Sequence, residues 1–161
     1  MSIEPTTPQT ADITYYSYIT LLNAENYFLG RFNSDAWNSA SADDKQTVLV
    51  QATRLIDCLN YEGVKTDDSQ ATEFPRDGGT VVPIEISIAT CEIAFSLLDG
   101  VDPEQELNSL ATSSQGYGSV RETYDRTQSV EHFRAGIPSA VAWAYLKPFL
   151  HDPAQINLSR V

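Results

Sequence analysis

The sequence predicts a mainly α-helical protein. We expect a small helical bundle around a central apolar helix, with a short protruding strand or hairpin and extended arms at both ends. Apolar residues recur at helical spacing in two long segments, Ser and Thr stand at capping positions, and one short segment alternates as a strand does. A chain of 161 residues, 42% of them hydrophobic, is long enough for one core.

The first helix is predicted to begin at Thr20, a residue type that caps helix N-termini. Residues 1–14, which are rich in Pro, Thr and Gln, are expected to form a flexible arm ahead of it. Gly30 weakens the end of this helix. Its apolar positions are Leu21, Ala24, Phe28 and Phe32.

The clearest helix is the segment "SADDKQTVLVQATRLIDCLNYEG". Ser41 is its predicted N-cap, and Asp43 and Asp44 suit the positive end of the helix dipole. Gly63 lies near its expected end. One apolar stripe comprises Val48, Leu49, Ala52, Leu55, Ile56 and Leu59.

The segment "VPIEISIATCEIAFSLLDG" follows a predicted loop at residues 62–80. Pro83 suits a first helical turn and Gly100 a C-terminal cap. Apolar residues cover most of its circumference, so we interpret it as the central helix. Alternation of isoleucines with polar residues leaves a strand open as the alternative for residues 82–88. The two stripes are Ile86, Ala89, Ile93 and Leu97, and Ile84, Ile88, Cys91, Phe95 and Leu98.

The remaining third of the chain changes its pattern several times. Residues 102–111 indicate a short helix capped by Asp102. Val120 to Tyr124 alternate and predict an exposed strand or ribbon. A last short helix is expected in "GIPSAVAWAYLKPFL". The predicted organisation is therefore an arm at 1–14, one helical domain at 15–150 and a tail at 151–161.

The net charge of −12 and the pI of about 4.3 argue against a non-specific nucleic-acid binder, because such a chain is repelled by phosphates. No signal peptide and no membrane-spanning run is evident, which favours a soluble, intracellular protein. Cys58 and Cys91 lie in apolar helical patterns, so we expect buried free thiols in a reducing compartment.

No catalytic or cofactor motif stands out. His132 and His151 are not spaced as metal ligands. The adjacent carboxylates at residues 43–44 and 67–68 are interpreted as capping or solvated groups, with catalysis as the minor alternative. The sequence therefore predicts no cofactor, no metal and no enzymatic activity.

The stretch "EFPRDGG" at residues 73–79 could be a phosphate cradle or a packing corner. A cradle requires glycines that lead directly into a helix, whereas the basic residue here precedes them. We favour a structural corner in which Phe74 enters the core, Pro75 stiffens the turn and Arg76 binds a carboxylate or free carbonyls. Asp57 and Glu92 are the candidate carboxylates, and Asp57 with Arg76 could form a buried pair.

The order of these motifs resembles the head–tail connector, or adaptor, family of tailed bacteriophages, some of whose relatives carry a DnaT-like single-stranded-DNA-binding label. The resemblance covers about residues 15–150, and Phe74 stands where tryptophan is commoner. The matching positions are Tyr27, Phe28, Trp37, Lys45, Leu49, Ala52, Thr53, Ile56, Asp57, Gly63, Gln70, Ala71, Pro75, Arg76, Pro83, Ala89 and Ala94.

This resemblance implies a structural protein of the virion neck that is assembled in the host cytoplasm. Relatives form a ring, commonly of twelve copies, below the portal protein, where they extend the DNA channel and dock the tail or tail-completion proteins. Packaged DNA would pass through the lumen without specific binding, and an acidic lining suits such a conduit. The resemblance implies no membrane partner.

Two segments are expected to bind partners. We expect the C-terminal tail to dock on the portal or on a neighbouring subunit, and the strand with Val120 and Tyr124 to pair with the adjacent protomer or line the ring. The second expectation assumes that a lone strand needs a partner. The tail residues are Gln155, Ile156, Asn157, Leu158 and Arg160.

The alternative function is single-stranded-DNA binding, which requires a basic groove and exposed aromatic side chains. The basic residues Arg121, Arg126 and Arg134 form only a sparse cluster, interleaved with acidic residues. Candidate aromatic residues are Tyr15, Tyr16, Tyr18, Tyr117 and Tyr124.

Overall fold

A computed structural model describes residues 16–111, 114–117, 120–123 and 131–152. In this part the chain is mainly helical, which confirms the predicted fold class. The elements are α1 (Leu21–Leu29), α2 (Asp35–Ser39), α3 (Ala42–Asp57), α4 (Ile84–Leu98), α5 (Pro103–Ala111), β1 (Ser114–Tyr117), β2 (Val120–Thr123), α6 (Glu131–Arg134) and α7 (Ala140–Leu146). A 3-10 turn at Lys147–Phe149 follows α7.

Helices α1 and α3 begin at the predicted caps. The Thr20 hydroxyl accepts from the backbone N–H of Asn23 at 3.3 Å, and the Ser41 hydroxyl accepts from that of Asp44 at 3.1 Å. The prediction for Phe32 was wrong. Because α1 ends at Leu29, Phe32 lies beyond the helix and is 91% exposed instead of joining the apolar stripe.

Helix α4 packs against α3 and α7 and supplies much of the core. Its helical conformation from Ile84 onward rules out the strand alternative for that segment. Ile84 itself lies in the first turn and is exposed, contrary to its place in the predicted stripe. The buried residues are Ile86, Ser87, Ala89, Thr90, Cys91, Glu92, Ile93 and Ala94.

Helix α2 was not predicted, because five residues are too few to establish a periodic pattern. It places Trp37 in the core, where the indole stacks on Phe28 with 4.2 Å between ring centroids. The indole N–H donates to the Glu25 carboxylate at 3.1 Å, and the Lys45 ammonium lies 5.2 Å from the centre of the indole ring. This short helix therefore closes the end of the α1–α3 pair.

The strand predicted around Val120 is not isolated. β1 and β2 form an antiparallel pair within the chain, with Ser114 opposite Thr123 and Tyr117 opposite Val120. The premise that this strand is isolated was therefore wrong, whereas its expected pairing with the adjacent protomer or place in the ring lining stays a prediction. Sequence reasoning missed β1 because its residues, "SQGY", show no alternation of apolar and polar side chains.

The chain after α7 is tied back to the end of α3. The backbone of Tyr61 forms a bridge with Leu150, and the N–H of His151 donates to the carbonyl of Asn60 at 3.0 Å. The N–H of Glu62 likewise donates to Phe149. The point from which the C-terminal tail leaves the domain is thus fixed.

The two cysteines differ in exposure. Cys91 is buried in α4, whereas Cys58 is exposed, so the prediction of two buried thiols was wrong for Cys58. Cys58 is the C-cap of α3 and lies off the buried face of this helix; the last residue of that face is Ile56. Among the described helices, none is both long and apolar enough to cross a membrane.

Candidate functional site

Arg76 holds the loop between α3 and α4 by contacts within the chain. Its Nε donates to the carbonyl of Glu62 at 2.8 Å and its Nη2 to that of Gly63 at 2.6 Å. Its Nη1 donates to the Glu73 carboxylate at 2.7 Å. The guanidinium is thus directed at the protein itself, so the loop has the geometry of a structural corner.

The carboxylate partner of Arg76 differs from both sequence candidates. Glu73, three residues away, forms the ion pair, whereas Asp57 lies in a neighbouring network and Glu92 pairs with Arg31. Spacing along a chain does not show which carboxylate a loop will bring to an arginine. The proposed Asp57–Arg76 pair is therefore replaced by Glu73–Arg76.

Asp57 and Tyr18 join the N-terminal segment to this corner. The Tyr18 hydroxyl donates to the Asp57 carboxylate and accepts from the N–H groups of Glu73 at 3.0 Å and Phe74 at 3.2 Å. Burial raises the pKa of Asp57 above its usual value, although the hydrogen bond from Tyr18 opposes that shift. Sequence reasoning placed Asp57 at the corner but did not find Tyr18.

Phe74 lies in the core, 2% exposed, with edge-to-face contacts to Tyr18, Tyr61 and Phe149. The Phe74–Pro75 peptide bond is cis. These contacts bring the segment before α1, the loop between α3 and α4 and the chain after α7 to one aromatic cluster. The bulky ring at this position therefore has a packing role.

Groups of the glycine-rich turn after Arg76 also form hydrogen bonds within the chain. The N–H of Gly79 donates to the carbonyl of Arg76 at 2.9 Å, and the Asp77 carboxylate accepts from the N–H of Val64 at 2.9 Å. Gly63 has a φ of +75°, and a Cβ there would lie 2.2 Å from that carboxylate. This geometry supports a corner and offers no cradle for a phosphate.

A second buried cluster was missed by sequence reasoning. Glu92, 3% exposed, accepts from Arg31 Nε at 2.7 Å, Arg31 Nη2 at 3.0 Å and the Tyr27 hydroxyl at 2.6 Å. The guanidinium lies 3.8 Å from the ring centre of Phe95. The signal in the sequence was a glutamate in the middle of an apolar helix, which requires a partner.

Arg31 also fixes the turn that follows α1. Its Nη1 donates to the carbonyls of Phe32 at 3.3 Å and Asn33 at 2.9 Å. Asn33 has a φ of +62°, a left-handed conformation that asparagine tolerates. The backbone of this turn is therefore fixed, and the side chain of Phe32 is exposed beside it.

The cations in residues 16–109 and 131–152 are engaged within the chain. Five of them form ion pairs: Arg31–Glu92, Lys45–Glu25, Lys65–Glu73, Arg76–Glu73 and Lys147–Glu131. Arg54 and Arg134 have contacts of their own. This part of the chain presents no run of cations to follow a phosphate backbone.

One carboxylate of each adjacent pair accepts hydrogen bonds from a nearby serine. Asp44 accepts from the Ser41 hydroxyl at 2.7 Å, and Asp67 accepts from the N–H of Ser69 at 2.8 Å. Hydrogen bonds from Ser69 lower the pKa of Asp67.

The histidine of α6 shows no sign of a metal-ligand role. Burial lowers the pKa of His132. In the described residues, no group of three or more His, Cys, Asp or Glu is placed to hold a metal ion.

A groove of about 760 Å³ runs between the segment before α1 and one side of α3. At the other end of α1, Leu29 and Phe32 are exposed at 86% and 91%. The groove residues include Ile19, Leu21, Gln46, Thr47, Leu49 and Val50.

Of the residues predicted to bind partners, the structure describes Val120. Val120 begins β2 opposite Tyr117. Tyr124 and the tail residues Gln155, Ile156, Asn157, Leu158 and Arg160 lie outside the described residues. Their roles stay predictions.

Comparison with known proteins gives one family. The sequence model of the family described as "Putative DnaT-like ssDNA binding protein" matches residues 4–161. The match includes most of the arm and all of the tail, which the resemblance at residues 15–150 had left out. No curated protein and no solved structure matches the chain.

Proposed function

The chain belongs to this DnaT-like family. From its resemblance to the connector family and from its arrangement of charge, we propose that it is a structural adaptor of a tailed-phage neck. In this proposal it is not an enzyme. It forms an oligomeric ring, commonly of twelve copies in the connector family it resembles, below the portal protein. The ring extends the DNA channel and docks the tail, and DNA passes through it without specific binding.

The arrangement of charge carries this proposal. Acidic residues outnumber basic ones by 22 to 10, and five cations are paired with carboxylates of the same chain. Binding to a DNA strand needs cations that contact phosphates and release their counterions. Cations that already form ion pairs with carboxylates are poorly suited to that task. An acidic conduit, by contrast, repels DNA and lets it move.

The test is assembly on the portal protein encoded by the same genome. Purified chain is mixed with the portal and imaged by electron microscopy, with each protein alone as the control. We expect an added ring layer below the portal, and its symmetry gives the copy number. A portal without an added layer at saturating chain contradicts the adaptor proposal.

The tail supplies a sharper version of this test. We propose that residues 151–161 dock on the portal or on a neighbouring subunit. A chain that ends at Leu150 should keep its fold, measured by circular dichroism and thermal unfolding, but should lose portal binding. Unchanged binding by the shortened chain would remove the tail from the proposal.

Single-stranded-DNA binding is the second candidate, and the description of the matched family favours it directly. That description names DNA binding and not a connector role, so by name it supports this candidate better than the adaptor. Among described residues, Tyr16 and Tyr145 are exposed aromatics on which a base could stack. The excess of acidic residues and the pairing of the cations with carboxylates argue against single-stranded-DNA binding.

A fluorescence anisotropy titration separates the two candidates. A labelled oligonucleotide is titrated with the chain at several salt concentrations, with an acidic protein of similar size as control. Affinity that falls steeply with salt supports DNA binding. No binding at low salt supports the adaptor.

A further inference from the structure

We propose that Tyr18 couples the two ends of the domain, so that displacing residues 16–20 loosens the point from which the C-terminal tail leaves. We call that point the tail anchor, which consists of the backbone contacts between residues 149–151 and residues 60–62. The inference concerns communication within one chain and applies whether the tail docks on a portal protein or serves another purpose. It therefore goes beyond the adaptor proposal.

The backbone of Tyr18 is bonded to both core helices. Its N–H donates to the Thr53 hydroxyl in α3 at 3.1 Å, and its carbonyl accepts from the Ser87 hydroxyl in α4 at 3.1 Å. Helix α1, which follows, is less deeply seated, since Ala24 and Phe28 are the buried members of its nine residues. Tyr18 is therefore an attachment point between the N-terminal part of the chain and the core.

The side chain of Tyr18 reaches from there to the loop corner. Its hydroxyl donates to the Asp57 carboxylate. The same hydroxyl accepts from the N–H groups of Glu73 at 3.0 Å and Phe74 at 3.2 Å. Withdrawal of the hydroxyl takes this acceptor from the buried N–H of Phe74, which costs free energy, so we expect Phe74 to shift when Tyr18 leaves.

Phe74 extends the network to the tail anchor. Its ring packs edge to face on Tyr61 at 4.7 Å and on Phe149 at 5.7 Å between ring centroids. The backbone of Tyr61 in turn forms the bridge with Leu150. Because interiors are close-packed, a displaced ring pushes on the rings beside it. A continuous series of contacts thus runs from Tyr18 through Phe74 to the tail anchor.

A cleft of about 470 Å³ beside this cluster leaves room for such a movement. Asp57 and Glu73 line it at the corner, and Asn60 and His151 line it at the tail anchor. The anchor itself is a short stretch of backbone pairing, so a small change in free energy is enough to open it while the core stays folded. The tail anchor is therefore the element that can adopt two states.

Tyr18→Phe tests the coupling, because it keeps the ring and removes the hydroxyl. Tyr27→Phe is the matched control, since the Tyr27 hydroxyl also donates to a carboxylate, that of Glu92, at 2.6 Å. Full-length variants are treated with dilute chymotrypsin without denaturant, and mass spectrometry follows the peptides that begin at Leu150. Cleavage at this bond requires an open anchor, so its rate tracks the open population. Urea denaturation gives the unfolding constant of each variant.

We expect Tyr18→Phe to raise cleavage before Leu150 and the unfolding constant by similar factors, at least about tenfold, because the open and the unfolded chain both lack the lost bonds. Tyr27→Phe should raise the unfolding constant and leave this cleavage unchanged. Cleavage that Tyr18→Phe does not accelerate overturns the inference. Equal acceleration by both variants also overturns it, because the anchor would then open only when the whole domain unfolds.

The reverse experiment must agree, since coupling between two sites is reciprocal. Phe149→Leu loses the edge-to-face contact with Phe74 and should accelerate cleavage after Tyr18, measured as peptides that begin at Ile19. Tyr145→Leu, which changes an exposed aromatic residue of α7, is the control and should have no effect. Failure of Phe149→Leu to exceed this control contradicts the coupling.

The outcome is independent of the adaptor test. A ring layer on the portal together with uncoupled ends leaves the adaptor standing and overturns this inference. Coupled ends without a ring layer support the inference and contradict the adaptor role.

Discussion

Arg76 shows how one side chain can set the path of a long loop. Its guanidinium joins carbonyls from residues 61–63 to the carboxylate of Glu73, so both arms of the loop meet at one group. A planar fork can satisfy several acceptors at once, which a lysine ammonium cannot reproduce. The identity of the residue, and not only its charge, therefore matters here.

Arg76→Ala should lower the free energy of unfolding by roughly 2–3 kcal/mol, because the backbone carbonyls lose their donor and Glu73 keeps its ion pair with Lys65 but loses the one with Arg76. Arg76→Lys should recover only part of the loss. Urea denaturation measures both. Lys147→Ala is the control, since it breaks an exposed ion pair and should change stability little. Equal effects of the two alanine variants would contradict the corner role.

Asp57 should make stability depend on pH. Its pKa is raised by burial, so just above the usual carboxyl pKa the folded chain keeps a proton that the unfolded chain has lost. The contribution of Asp57 to stability therefore falls as pH rises through that window. Asp57→Asn should remove this fall in urea denaturation measured across a pH series.

Glu25 provides a control of opposite sign. Hydrogen bonds from Lys45 and Trp37 lower its pKa. Its contribution is present above the pKa of the unfolded chain and is lost as pH falls through the lower pKa of the folded chain. Glu25→Gln should remove that loss. Identical pH profiles for wild type and Asp57→Asn would refute the assignment for Asp57.

The sequence indicated some residue roles and not others. Ser41 and Thr20 could be placed because a cap depends on the next three residues alone. The Arg31–Glu92 pair could not, since its members are 61 positions apart and the sequence shows only that Glu92 needs a partner. Phe32 was misplaced because periodicity does not show where a helix ends.

At the scale of elements, α3 and α4 combine strong periodicity with clear end signals and were predicted correctly as helices. Helix α2 and strand β1 are short and lack such patterns, so only tertiary contacts define them. Sequence reasoning found the loop corner but assigned the wrong carboxylate to Arg76.

The N-cap of α3 is open to a direct test. Ser41→Ala should lower the free energy of unfolding by about 1 kcal/mol, because the N–H of Asp44 loses its acceptor. Ser41→Asn, which can also cap, should stay close to wild type. Thermal unfolding followed by circular dichroism measures both. An alanine variant as stable as the asparagine variant would argue against the cap.

For the whole molecule, acidic repulsion should limit stability. Raising sodium chloride from about 10 mM to about 150 mM shortens the Debye length from about 30 Å to about 8 Å, so the melting temperature should rise. Potassium chloride should give the same rise if screening is the cause. A falling melting temperature would mean that the internal ion pairs outweigh the repulsion.

The turn at residues 31–33 has a consequence for how the domain opens. Because Arg31 joins this turn to Glu92 in α4, the end of α1 cannot loosen without leaving a buried carboxylate without its cation. The turn and the middle of α4 should therefore exchange their amide hydrogens together, as one cooperative unit.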